Sequence, residues 1–231
     1  MILLIDKPKW RTSFDIVKKV RSYLPKKTKV GHSWTLDPMA TGLLVLWTHK
    51  DTKNLADIQS YNKEYIANID FSVLTDTWDM DYHEFIENYE ISLKNNLTWI
   101  IKDWNFISSV SIDNIKSKLD SLIPSYSLPL PSFSAKKIWW KKFYDLARKW
   151  DLIEKYQEMK IYNYEILNYE FPNLKIKIKV WSWTYIRSIA YWIGNEFNLG
   201  WTLSFLQRTR IGDYDLNNSY TIDKINSKFF L

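Results

Sequence analysis

Three observations predict an α/β (α+β) chain that forms one domain over 1–231. Short apolar or alternating segments are interleaved with segments of helical periodicity. A length of 231 residues suits one domain of generous size. No repeat, low-complexity tract or linker-like composition divides the chain.

The elements follow in order. Residues 2–6 predict a strand ending at Asp6, Lys7 and Pro8, and Ser13 is expected to cap a helix over 14–24 with Val17, Val20 and Leu24 on one face. Pro25 stops it. Leu43 to Leu46 is a compact apolar run expected as a buried strand, and a helix is expected from Thr52 to Gln59. From Lys63 to Phe71 apolar and polar residues alternate, with Tyr65, Ala67, Ile69 and Phe71 on one side, as in a half-buried strand. The stretch 84–111 is acidic and Asn-rich, with weak strand character at 99–101 and 106–110, and is expected as a peripheral insertion. Asp113 is expected to cap a helix through Leu122, the stretch 124–131 to be extended loop, and a short helix to lie near 143–149. Strands are expected over 161–169 and 174–180. A helix from Ser182 or Thr184 to Phe197 and a second short helix over 202–207 complete the pattern.

Composition narrows the chemistry. Cysteine is absent, which excludes disulfides, thiolate zinc sites and cysteine nucleophiles and fits a reducing, cytoplasmic compartment. His32, His49 and His83 show no metal-ligand spacing, so no metal is expected. No apolar run approaches the ~20 residues of a membrane span, and the apolar N-terminal run is too short for a signal sequence. The net charge of +6 suits a polyanionic partner. Lys7, Lys9, Arg11, Lys18, Lys19, Arg21, Lys26, Lys27 and Lys29 crowd one region, while Asp76, Asp79, Asp81, Glu84, Glu87 and Glu90 form a separate acidic run. Each run also reads as an ordinary solvated face.

The basic region leads into a turn-rich loop, Lys29 to Leu44, whose one carboxylate is Asp37. Pro38 follows it, Gly31 and Gly42 bracket it, and His32, Ser33, Thr35 and Thr41 lie nearby in sequence. A carboxylate held in such a loop suits a nucleophile or general base. The same residues also read as an ordinary Asp-Pro turn.

The chain has 13 Trp and only 5 Gly. Together these approach the roughly 16 glycines that ~7% usage implies for this length. Trp10, Trp34, Trp78 and Trp150 sit in turn-like company, where glycine is ordinarily favoured. The expectation is that many Trp positions come from a UGA codon read as glycine, and that tryptophan there takes uncommon φ or leaves crowded, exposed rings. The alternative is a set of indole platforms for stacking bases.

With these stretches in hand, the chain resembles the bacterial tRNA pseudouridine-55 synthase family, in order along nearly its whole length. The resemblance is carried by Asp6 to Trp10 with Thr12 and Ser13, Gly31 to Gly42, Lys63 to Tyr65, and Thr75 to Thr77. It continues through Pro131 to Lys136, Tyr144 to Arg148, Trp183 to Ile189, and Leu203 to Gly212. The family pattern has glycine where this chain has Trp10, Trp34, Trp47 and Trp183, and the same is expected at Trp140 and Trp150. The resemblance implies a mixed, mostly antiparallel sheet flanked by helices, with the active site in a central cleft. It implies a cofactor-free isomerisation of a uridine in the T-arm of tRNA, by a monomer. It makes Asp37 the catalytic carboxylate, acting at C1′, at C6 or along a glycal route. Arg187 would pair with Asp37, and Tyr65 would stack on the base and assist C5 deprotonation. His32 would hold the flipped state, Tyr185 and Leu206 would line the substrate, and Lys7 and Lys136 would contact phosphate. Plain readings remain beside these: Arg187 on a helix surface, Tyr65 as core, His32 as a structural residue. Two rival functions are a non-catalytic RNA-binding or tRNA-folding factor of the same fold, and a DNA-binding domain. Many family members continue into a small RNA-binding domain, which is not expected here.

Overall fold

The computed structural model describes residues 1–49, 60–75, 77–80, 99–100, 110–131, 137–138, 141–142, 155–226 and 229. Their strands are β1 (Ile2–Lys7), β2 (Val30–Ser33), β3 (Thr41–Thr48), β4 (Lys63–Asp70), β5 (Val73–Leu74), β6 (Trp99–Ile100) and β7 (Ser125–Pro129). They continue with β8 (Lys137–Ile138), β9 (Lys141–Lys142), β10 (Tyr156–Glu170), β11 (Asn173–Val180), β12 (Thr202–Ile211), β13 (Tyr214–Asp215) and β14 (Tyr220–Thr221). The α-helices are α1 (Ser13–Ser22), α2 (Ile112–Asp120) and α3 (Ile186–Glu196). None is long and apolar enough to cross a membrane. The chain forms two compact units, Met1–Ile66 with Leu206–Leu231, and Ala67–Phe205. The expected helices at 52–59 and 143–149, and most of the expected insertion, lie outside the described residues.

In the first unit the strand order is β14-β1-β3-β12-β4, with β2 on β3 and β13 on β12. The β1–β3 and β2–β3 pairs are antiparallel, whereas β3–β12 and β1–β14 are parallel. Helix α1 lays Ile16, Val17 and Val20 on Leu3, Ile5, Leu44 and Leu46, while Leu43, Val45 and Trp47 pack with Ile211 in a separate cluster. Strand β3 is therefore apolar throughout because both its faces are covered. The cap of α1 is Thr12, one residue before the expected Ser13. Thr12 and Asp15 form a reciprocal capping box, which leaves the Ser13 hydroxyl free to serve a neighbouring loop.

In the second unit the order is β12-β4-β11-β10-β7, and β10 pairs antiparallel with both β11 and β7. The expected alternation of β11 is realised, with Leu174, Ile176, Ile178 and Val180 buried. The extended stretch after Pro124 forms a ladder strand, β7. Residues 202–207 are strand, not the expected short helix. The i, i+3 spacing of Leu203 and Leu206 imitates a helical face, but Leu203 exchanges backbone hydrogen bonds with Trp78 and Met80, residues far away in sequence.

Among the described residues, six non-glycine residues have positive φ, and three of them are Trp10 (63°), Trp34 (52°) and Trp78 (62°). This left-handed conformation costs an L-residue roughly 1–2 kcal/mol and is uncommon for a bulky side chain.

Candidate active site

The loop singled out in the sequence connects β2 to β3, and its backbone is held from several sides within the first unit. The Ser13 hydroxyl accepts from the Leu36 amide at 2.9 Å and donates to the Leu36 carbonyl at 3.3 Å. The Ala40 amide donates to Asp37 O at 3.0 Å, and the Trp10 amide donates to Pro38 O at 2.8 Å. Lys7 is fully buried, and its ammonium donates to the carbonyls of Pro8, Arg11 and Pro38 at 3.0, 2.6 and 3.1 Å. A buried cation saturated with carbonyls meets the requirement that a desolvated charge be hydrogen-bonded. Gly42 has φ +98°, and a Cβ there would lie 2.4 Å from Arg208 O, so β12 approaches as closely as it does because this residue has no side chain.

Asp37 is half-buried at the centre of this loop. Around it lie Tyr65, from β4, and Arg208, from β12, both buried. The Arg208 guanidinium donates from Nε to Leu43 O at 2.8 Å and from Nη2 to Trp34 O at 3.1 Å, and also hydrogen-bonds the Tyr65 phenol. Burial pushes the Tyr65 hydroxyl above its ordinary range, against the pull of Arg208, with the Asp37 charge pushing the same way as burial. Burial lowers Arg208 itself, while Tyr65 and Asp37 favour its charged form. Lys63 is buried on the same face of β4 as Tyr65, donates to Tyr61 O at 3.0 Å and lies 4.3 Å from the Trp34 ring centroid. Burial, with the nearby charge of Arg208, brings its ammonium down to about 6. Half-buried His32, on β2, is lowered first by burial and then by Arg208. Its Nδ1 and the neighbouring Ser33 hydroxyl are buried without a hydrogen-bond partner among the described residues.

The first unit thus gathers Asp37, Tyr65 and His32 about Arg208, and carries buried Leu206 on β12. Arg187 and Tyr185 belong to the second unit. Tyr185 caps α3, and its amide donates to Met159 Sδ at 3.4 Å. Arg187 is buried in the first turn of α3, 3.4 Å from the Asp79 carboxylate, with Nη1 donating to Thr77 O at 2.8 Å. The hydroxyls of Thr75 and Thr77 both donate to Asp79 O at 3.0 Å, so the threonine-flanked turn seen in the sequence serves to present Asp79. Lys136 lies outside the described residues. Among the described residues, no group of three or more His, Asp and Glu side chains could hold a metal ion.

Arg208, Lys63 and Asp79 have no predicted role in the sequence. A signal was present: Lys63 keeps the parity of Tyr65, Ala67 and Ile69, and Arg208 that of Leu206, so both cations occupy inward positions of their strands.

Residues 21–186 match the family described as TruB family pseudouridylate synthase, N-terminal domain. The chain belongs to this family. The tRNA pseudouridine synthase B of Fusobacterium nucleatum is 35% identical over 216 residues, covering 93% of this chain and 69% of the relative. That of Chloroherpeton thalassium is 34% identical over 231 residues, covering 98% and 89%. That of Caldicellulosiruptor saccharolyticus is 36% identical over 227 residues, covering 97% and 72%.

The pseudouridylate synthase fold also appears among solved structures. A chain of an H/ACA RNP bound to a substrate RNA containing 2′-deoxyuridine matches with TM-score 0.66 at 20% identity, over 99% of this chain and 53% of that one. A chain of the archaeal box H/ACA sRNP Nop10-Cbf5 complex matches with TM-score 0.62 at 19% identity, over 96% and 51%. This chain therefore spans about half the length of those two. The expected pseudouridine synthase fold with a mixed, mostly antiparallel sheet is the fold observed.

Proposed function

We propose that this chain is a tRNA pseudouridine synthase that isomerises a uridine of the T-arm, expected at position 55, with Asp37 as the catalytic carboxylate. The observation that carries the reading is the loop itself. A half-buried carboxylate sits on a backbone fixed by two buried cations and lies beside a buried tyrosine. Positioning of this kind contributes to rate only when the reacting group is held before the substrate arrives.

The reaction breaks the bond from uracil N1 to C1′, turns the base, and joins C5 to C1′. The C5 proton is lost and N1 gains one, so nothing is consumed. The uridine must first be extruded from a folded arm, at a cost of a few kcal/mol that stacking and backbone contacts offset. Tyr65 and Leu206 line the base, and His32, kept neutral by burial, helps hold the extruded state. The roles of Arg187 as the carboxylate's cation and of Tyr185 as a lining ring rest on the family motif. Exposed Lys9, Arg11, Lys18, Lys19, Lys26 and Lys27 carry the phosphate contacts, and Lys136 belongs to a second basic cluster. The chain acts as one catalytic domain, a cytoplasmic monomer.

Asp37→Asn tests this. Pseudouridine in tRNA, mapped chemically after incubation with the variant, is expected to fall below detection while tRNA binding persists. Product at near-normal rates overturns the assignment. An unmodified base with the parent protein itself indicates an RNA-binding factor of the same fold.

A further inference from the structure

We propose that Arg208 is the positioning residue of the Asp37 loop, joining both ends of that loop and the Tyr65 phenol to one guanidinium. This rests on the reading of Asp37 as the catalytic carboxylate. The geometry is specific. Nε reaches Leu43 O at 2.8 Å on the β3 side, and Nη2 reaches Trp34 O at 3.1 Å on the β2 side, so the two donors bracket residues 35–42. The β3–β12 pair registers Arg208 opposite Gly42, which brings the strand backbones close enough for the side chain to lie beneath the loop. Both acceptors are backbone carbonyls, so the tie does not depend on which side chain occupies position 34. A planar fork with fixed donor directions can hold two carbonyls and a phenol together, whereas an ammonium is a point charge without that shape. Burial of the guanidinium is otherwise costly, and its compensation comes from the groups that shape the site.

The test compares Arg208→Lys and Arg208→Gln with the parent enzyme and with Arg210→Gln, a control at an exposed position whose partner is Asp215 at 3.0 Å. Hydrogen exchange of amides 34–43 is read together with kcat and KM for tRNA. Arg208→Gln is expected to speed exchange in 34–43 selectively and to lower kcat about a hundredfold with KM little changed, an effect on the order of a lost transition-state contact. Arg208→Lys is expected to recover only part of the rate. Unchanged exchange in 34–43, or a Gln variant with parental kcat, overturns the proposal. If Arg208→Gln fails to fold, the Lys variant decides by the same two readouts. The exchange readout stands even if the parent makes no pseudouridine, so failure of the functional reading and failure of the tie are distinguishable.

From a different observation, we infer that Trp10, Trp34 and Trp78 occupy glycine positions and that the working polypeptide carries glycine there. All three backbones are left-handed, with φ between 52° and 63°. Separately, the indole N–H groups of Trp47, Trp192 and Trp201 are buried without a partner among the described residues, although buried indoles ordinarily find one. The shortage of glycine completes the case. A UGA codon read as glycine accounts for all three facts. Sequencing the gene is expected to show UGA at positions 10, 34 and 78, and peptide mass spectrometry of the protein from its own source to show glycine. UGG codons, or tryptophan in the native peptides, overturn the inference.

Discussion

Lys63 shows most sharply how burial sets chemistry in this site. Its ammonium is pushed down to about 6 by desolvation, with Arg208 adding to the effect. In the unfolded chain a lysine holds its proton to about 10.4. Between about 6 and 10.4 the unfolded state therefore binds more protons, and stability rises with pH by up to about 1.4 kcal/mol per unit. Thermal melts are expected to show a higher Tm at pH 9 than at pH 6.5. In Lys63→Met this increase is expected to shrink, since the variant has no proton to lose; an identical slope in both proteins contradicts the shift. Lys7 contrasts with it, because three carbonyls receive its ammonium. From sequence these two lysines looked like members of a basic apron and a strand. Strand parity puts Lys63 on the inward face of β4, but Lys7 carries no such mark, and in both cases burial depends on partners far along the chain.

Among the elements, α1 is where local chemistry and the site meet. Its capping box joins Thr12 and Asp15, and Ser13, the residue after Thr12, holds Leu36, next to Asp37. Thr12→Ala is expected to destabilise the protein by about 1 kcal/mol, read as a lower urea midpoint at unchanged slope. Because Thr12 itself makes no contact with the loop carbonyls, kcat is expected to change little. The strands β1, β3, β4 and β11 were legible because their alternation or apolar runs are local patterns. Strand β12 was not legible: its helix-like apolar spacing is overridden by backbone hydrogen bonds to residues distant in sequence.

At the scale of the whole molecule, the net charge of +6 resolves into exposed cations and buried ones. Lys18 and Lys19 are exposed on α1, whereas Lys7, Lys63 and Arg208 are buried. Replacing Lys18 and Lys19 together by Glu is expected to weaken tRNA binding by roughly tenfold at low salt. It should also reduce the slope of log Kd against log salt by about one per lost contact. Filter binding at two salt concentrations checks this, and an unchanged slope places the RNA elsewhere.

The sequence by itself determined the family, the turn-rich loop around Asp37, and the strands β1, β3, β4, β10 and β11. These rest on patterns carried by neighbouring residues, where spacing, turn chemistry and motif order are visible along the chain. Tertiary structure decided that Arg208 hydrogen-bonds both ends of that loop, that Lys7 and Lys63 are buried, that Asp79 meets Arg187, and that residues 202–207 form a strand. Each of these depends on groups brought together from distant positions; strand parity marks Lys63 and Arg208 as inward but carries no record of what they meet.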